Sequence, residues 1–228
     1  MEKRINLQSQ LKLDAECTNH TDDKLSSQYI NDRIVQQVSL LHLSILNAHI
    51  QMDYDDINSP SFSFIEGSLD NFEINISENI LLVKELPSHM VPKIKLTLPY
   101  NKIYANVSVE NQHGHVSLPN LKCEIIRIDN INGQNELKNI NSGLTIFKNV
   151  DGYINVVKIL SDEMYLENVS GEIFINQVIC KKSSAKTKTG SIVVKKSTSP
   201  IDEIESRSGD IFWDSKLISD NDSSKGMN

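Results

Sequence analysis

The sequence predicts an all-β protein, a right-handed single-stranded β-solenoid (β-helix-like) with 19-residue rungs, capped N-terminally by short irregular β-strands. Three observations predict it. Six glycines, Gly114, Gly133, Gly152, Gly171, Gly190 and Gly209, fall at an unbroken spacing of 19 residues. All but Gly133 open the phrase Gly-x-apolar-x-apolar, as in the run from Gly152 through Ile154 to Val156, and Gly133 keeps only the second apolar place, Leu137. Three residues before the glycines stand Asn111, Asn130, Asn149, Asn168, Thr187 and Ser206. With that residue as position 1 of each repeat, side-chain amides stacked one rung apart can hydrogen-bond along the stack. The glycine at position 4 permits a backbone conformation that a Cβ would penalise.

Residues 1–33 are polar and without a sustained period, so they read as a flexible N-terminal arm. Residues 34–214 read as the domain, with capping strands over 34–100 and the repeats over 101–214. In the first part Leu41, Leu43 and Ile45 alternate, then Ile50, Met52 and Tyr54, then Ile94, Leu96 and Leu98. These short, turn-punctuated segments are expected to cover the first rung, because a bare solenoid end is an open sheet edge. In the repeats, positions 6 and 8 form an inward ladder that runs from Val116 and Leu118 to Ile211 and Trp213. Position 11 (Leu121, Ile140, Ile159, Val178) and positions 16 and 18 (Ile126/Ile128 through Asp202/Ile204) supply two more. Parallel crossovers between such rungs are right-handed by strong preference.

Position 19 reads Asp129, Lys148, Glu167, Lys186, Glu205, so neighbouring rungs place opposite charges together. Each exposed pair contributes only ~0.2–1 kcal/mol, but a one-rung slip would set like charges against like. The polar residues 215–228 read as a disordered tail, and no aromatic-rich segment follows to cap the last rung. The C-terminal edge near Trp213 is therefore expected to be open, which makes self-association one expected behaviour.

The formal charge of −7 argues against a nucleic-acid partner, since such binding needs Lys and Arg to neutralise phosphates. No apolar run reaches the ~18 residues of a transmembrane helix. The start, Met1-Glu2-Lys3-Arg4, carries no apolar signal-peptide core, so the sequence alone predicts a cytoplasmic protein. The odd set Cys17, Cys123 and Cys180 argues against a disulfide framework. Cys123 and Cys180 share a position three repeats apart, ~14 Å at the strand spacing and beyond the ~7 Å Cα limit of a disulfide.

The opening strands, then Ile94 to Pro99, then Val107 to Leu118, then Glu167 to Ile175, resemble the bacterial putative-adhesin family of β-strand-repeat proteins. That family is a domain of unknown function, related in style to the head-GIN adhesin domains, and the likeness covers about residues 35–214. The resemblance implies a β-solenoid-like fold, no known catalytic residues and no cofactor. It also implies a tie to envelope stress or surface attachment, which leaves an envelope association open.

For catalysis, a solenoid enzyme acting on glycans needs outward carboxylates stacked on adjacent rungs. Outward positions 5 and 7 stack none, and Glu172 and Asp210 are the candidates that remain. His113 and His115 alternate as a metal pair would, but spacing supplies no further ligands. Asp53, Asp55 and Asp56 read as an acidic turn rather than a calcium loop, and Ser170 lacks the strand–turn–helix of a nucleophile elbow. Two surfaces stand out instead. Tyr153, Phe174, Val193 and Phe212, with Trp213, form a candidate partner surface. Lys181, Lys182, Lys186, Lys188, Lys195 and Lys196 form a candidate anion-binding patch in an otherwise acidic chain. The expectation is a non-enzymatic binding or scaffold module with no metal or cofactor, whose partner is a protein or a cell-envelope polymer.

Overall fold

The computed structural model describes residues 28–29, 38–55, 61–67, 69–77, 79–100, 102–198, 201–214 and 216–218. Most of the expected arm, together with Cys17, Asp56 and residues 219–228, lies outside the described residues. In chain order the strands are β1 (Gln28–Tyr29), β2 (Leu40–Ile45), β3 (His49–Asp55), β4 (Ser61–Glu66), β5 (Phe72–Ser77), β6 (Ile80–Glu85), β7 (Lys93–Pro99) and β8 (Tyr104–Asn111). They continue as β9 (His115–Pro119), β10 (Lys122–Ser170), β11 (Ile173–Thr189), β12 (Ile192–Lys195), β13 (Glu203–Ser208), β14 (Ile211–Trp213) and β15 (Lys216–Ile218). Together they form one sheet that winds over itself in a β-solenoid-like manner. Among the described residues no helix is long and apolar enough to cross a membrane.

The pairing register carries the period of the sequence. Cys123 lies beside Tyr104, Gln134 beside His115 and Ile154 beside Ile173. Ile173 then lies beside Ile192, Ser184 beside Glu203 and Ile192 beside Ile211. All these pairings are parallel, and the partners are 19 residues apart. Because strand side chains alternate between faces, one register sends Val116, Leu118, Ile154, Val156, Ile173, Ile175, Ile192 and Val194 all into the core. Leu121, Ile140, Ile159 and Val178 are buried as well, as are Ile126, Ile128, Phe147, Met164 and Leu166. Position 13 (Cys123, Ser142, Ser161, Cys180) also faces inward. Its two serines satisfy each other there at 3.1 Å, with Thr145 2.8 Å from Ser142.

The glycine column has a direct cause. A Cβ added to Gly114, Gly133, Gly152, Gly171, Gly190 or Gly209 would strike the carbonyl oxygen of the residue one rung below. For Gly114 that residue is Ala48, so the stack continues into the N-terminal part. The asparagine column bonds as expected over three rungs: Asn130 Nδ2 donates to Asn149 Oδ1 (2.6 Å), and Asn149 Nδ2 to Asn168 Oδ1 (3.1 Å). Asn111 instead clamps its own turn, accepting from Gly114 N and donating to Gly114 O, both at 2.9 Å. It also donates to Asn135 at 3.3 Å, which answers the polar residue standing in an apolar column.

A second corner recurs at position 10, where Asn120, Asn139, Lys158, Gln177 and Lys196 all take φ between 50 and 56°. This left-handed conformation is normally given to glycine or asparagine. Nothing in the glycine spacing marks it.

Three expectations are corrected. The strands over 34–100 are not an irregular cap. β2 runs parallel between β6 and β8, with Leu41 beside both Leu81 and Val107. β3 likewise runs parallel between β7 and β9. Their period-2 alternation matches the rungs, so residues 40–55 thread between two later segments as full rungs. The edge itself is covered by antiparallel strands, β5 on β6 and β4 on β7. Next, the arm is tied at Gln28–Tyr29, which pair antiparallel with β4. Finally, the tail is not wholly disordered. Asp214, at φ 45°, accepts from Lys196 N (2.8 Å) and turns the chain, and β15 then pairs antiparallel with β14. That pairing closes the edge beside Trp213, which packs partly buried against the core.

A groove along the stacked corners

Where position 19 leads into the asparagine turn, the rungs align into an open groove of about 590 Å³ that runs from Ser44 and Ile45 to Glu205 and Arg207. Its floor is the asparagine column. One wall is position 19: Glu110, Asp129, Lys148, Glu167, Lys186 and Glu205. The other wall is position 2, where Ile131, Val150 and Val169 follow one another on successive rungs and give way to Lys188 and Arg207. These three apolar side chains remain 49%, 48% and 39% exposed, although the sheet offers them no role in the core.

The charges on the groove balance, with four acids and four bases among its lining residues. The expected charge ladder is realised at one step, Lys148 to Glu167 at 3.1 Å. Elsewhere the partners are different. Lys186 reaches Glu203 on the next rung at 2.6 Å, which holds the Glu203 carboxyl below the usual range, and Asp129 pairs with Arg127 on its own strand. Glu205 has Arg207 at 3.6 Å. Exposed pairs of this kind set register and specificity more than stability.

The structure keeps the row Phe174, Val193 and Phe212 in adjacent strands, with each side chain half-buried, while Tyr153 on the rung below is 39% exposed. Lys195 lies 5.5 Å over the Phe174 ring. Trp213 leaves this surface for the core. The six lysines meet different neighbours. Lys181 pairs with Asp162 at 2.6 Å, and Lys182 lies over Tyr165. Lys186 and Lys188 belong to the groove, and Lys195 and Lys196 stand at the far corner.

His115 N donates to His49 Nδ1 at 3.1 Å across the rung below, and burial followed by the neighbouring His49 lowers its pKa. No group of three or more His, Cys, Asp or Glu comes together among the described residues. Asp53 is engaged by Lys95 at 2.7 Å. Glu172 and Asp210 are exposed two rungs apart. Cys123 and Cys180 are buried thiols, and burial pushes the Cys123 thiol up to about 12.

The sequence marks the groove less plainly than the core, because its apolar row stands beside the stronger inward columns at positions 6, 8, 11, 16 and 18. Ile131, Val150 and Val169 recur at the same 19-residue spacing and carried the signal. A second missed residue is Glu85. Its buried carboxylate accepts the N–H groups of Leu46, Asn47 and Ala48 at 2.8–2.9 Å. It does for the 45–48 turn what Asn111 does for the next.

Stacked parallel rungs, a glycine column pressed on the carbonyls below and a solvent-facing corner groove define a β-solenoid-like repeat protein. The chain belongs to the Toastrack DUF4097 family, which matches residues 65–221. Its fold is similar to that of a "putative adhesin" of Bacteroides fragilis NCTC 9343, at 14% identity and a TM-score of 0.53 over 84% of this chain and 98% of that one. A "putative cell adhesion protein" of Clostridium sporogenes ATCC 15579 matches at 9% identity and a TM-score of 0.37, over 83% and 98% of the two chains. No curated protein matches the chain.

Proposed function

We propose that this chain is a non-enzymatic binding or scaffold module of the adhesin type, that residues 34–214 act as one right-handed solenoid unit with 19-residue rungs over 101–214, and that its partner sits at the cell envelope. The observation that carries this reading is the groove, where Ile131, Val150 and Val169 stay half-exposed in a row and the charged lining balances as a whole. The adhesin name of the Bacteroides relative supports the same direction. The test is co-sedimentation with a bacterial envelope fraction. The wild-type protein should pellet with the envelope, and a Val150→Thr/Val169→Thr variant should stay in the supernatant. Equal pelleting of both, or of neither, would count against the groove.

Self-association is the second reading, and β13 favours it. Among the described residues β13 pairs only with β11, so Glu203–Ser208 present a free strand edge even though β14 is covered. Light scattering across concentration tests it, with growth in mass expected if the edge pairs.

A further inference from the structure

The groove repeats once per rung, and this periodicity says what fits it. Rungs stack at ~4.8 Å, so the wall from Glu110 to Glu205 presents six charged positions, five rung steps apart, over ~24 Å. An extended peptide advances ~3.3 Å per residue and drifts out of phase with such a ruler. A chain of equatorially linked pyranose rings advances by about one rung per sugar and turns each ring over relative to the last, so it stays close to phase and alternate rungs meet the same ring face. Each step pairs one charged side chain on one wall with one apolar side chain on the other over the central rungs: Asp129 with Ile131, Lys148 with Val150, Glu167 with Val169. Carboxylates accept from hydroxyls and ammonium groups donate to them, while the apolar side chains meet the C–H faces of the rings. The balance of four acids and four bases gives the groove no net attraction for a polyanion or a polycation.

We propose that the groove binds a neutral, linear glycan chain, one sugar per rung, centred on Val150 and Val169. This rests on the binding reading above and names its ligand class.

The test is calorimetric titration of the full chain with cellohexaose and chitohexaose, their disaccharides, and an oligogalacturonate hexamer as the anionic counterpart. The neutral hexamers should bind at least about tenfold more tightly than the disaccharides, because the longer chain spans more rungs. The anionic hexamer should bind more weakly than the neutral ones. Val150→Thr/Val169→Thr keeps β-branched side chains and so keeps the strands; it should weaken hexamer binding about tenfold. Phe174→Thr, on the other face, should not change it. Failure of both neutral hexamers, with envelope co-sedimentation intact, overturns the glycan assignment and leaves the binding reading standing. Failure of both assays overturns the two together. Tighter binding of the anionic hexamer, or an unchanged affinity in the valine variant, overturns the ligand class or the site respectively.

Discussion

Gly171 lies so close to the carbonyl oxygen of Gly152, one rung below, that a side chain at 171 would occupy the space of that oxygen. At φ 108° its backbone is also one that L-residues rarely adopt. The two facts explain why the ruler in the sequence is made of glycine.

Gly171→Ala should therefore destabilise the protein by at least about 2 kcal/mol, the sum of backbone strain and overpacking. Denaturant unfolding checks it. Gly143, where a Cβ would meet the Glu124 carbonyl oxygen at 2.9 Å and the backbone lies outside the left-handed region, should cost less when changed to alanine.

Glu85→Ala would leave the buried N–H of Ala48 and the partly buried N–H groups of Leu46 and Asn47 without an acceptor, a loss of about 3 kcal/mol. Glu85→Gln keeps an acceptor and should lose less. Amide exchange at residues 46–48 should speed up in both variants, most in the alanine one.

The position-10 corner makes the opposite prediction. Lys158 is exposed and held at φ 56°, so Lys158→Gly or Lys158→Asn removes strain without removing core. The net gain should be up to about 1 kcal/mol once glycine's greater freedom in the unfolded chain is counted. Thermal melting detects it as a rise in Tm.

Much of this fold was legible because a solenoid repeats its constraints. The glycine spacing, the Asn111–Asn168 column and the inward ladders all follow from one period. What stayed illegible is what does not repeat or carries no special residue. Residues 40–55 thread between later segments, and that order is set by long-range register rather than by any local signal. The left-handed corner is filled by Lys158, Gln177 and Lys196, residues that announce no turn. Glu85 reaches its turn from a strand 37 to 39 residues away. The six lysines are near in sequence, but the chain rounds the solenoid between them, so Lys196 stands at the left-handed corner while Lys186 and Lys188 line the groove. The groove was legible in principle, since Ile131, Val150 and Val169 share a position.

Stability should fall at alkaline pH. Burial raises the Cys123 thiol from its ordinary value of 9.0 to about 12, and it raises the Tyr54 and Tyr104 hydroxyls as well. The unfolded chain then loses these protons first, so the stabilisation is whole below pH 9 and is lost as pH rises toward 12. The slope for the cysteine alone is ~1.4 kcal/mol per pH unit, and Cys123→Ala should remove that share. Unfolding free energies measured between pH 8 and 11 check the sign. Native Cys123 should also resist thiol reagents at pH 8 and react after unfolding.

Hydrogen–deuterium exchange of the full chain, alone and with solubilised envelope polymer, tests the site assignment most directly. The groove account predicts protection at 129–131, 148–150 and 167–169, with the strand around Phe174 and Val193 unchanged. Protection confined to Tyr153, Phe174, Val193 and Phe212, or none anywhere, would contradict it.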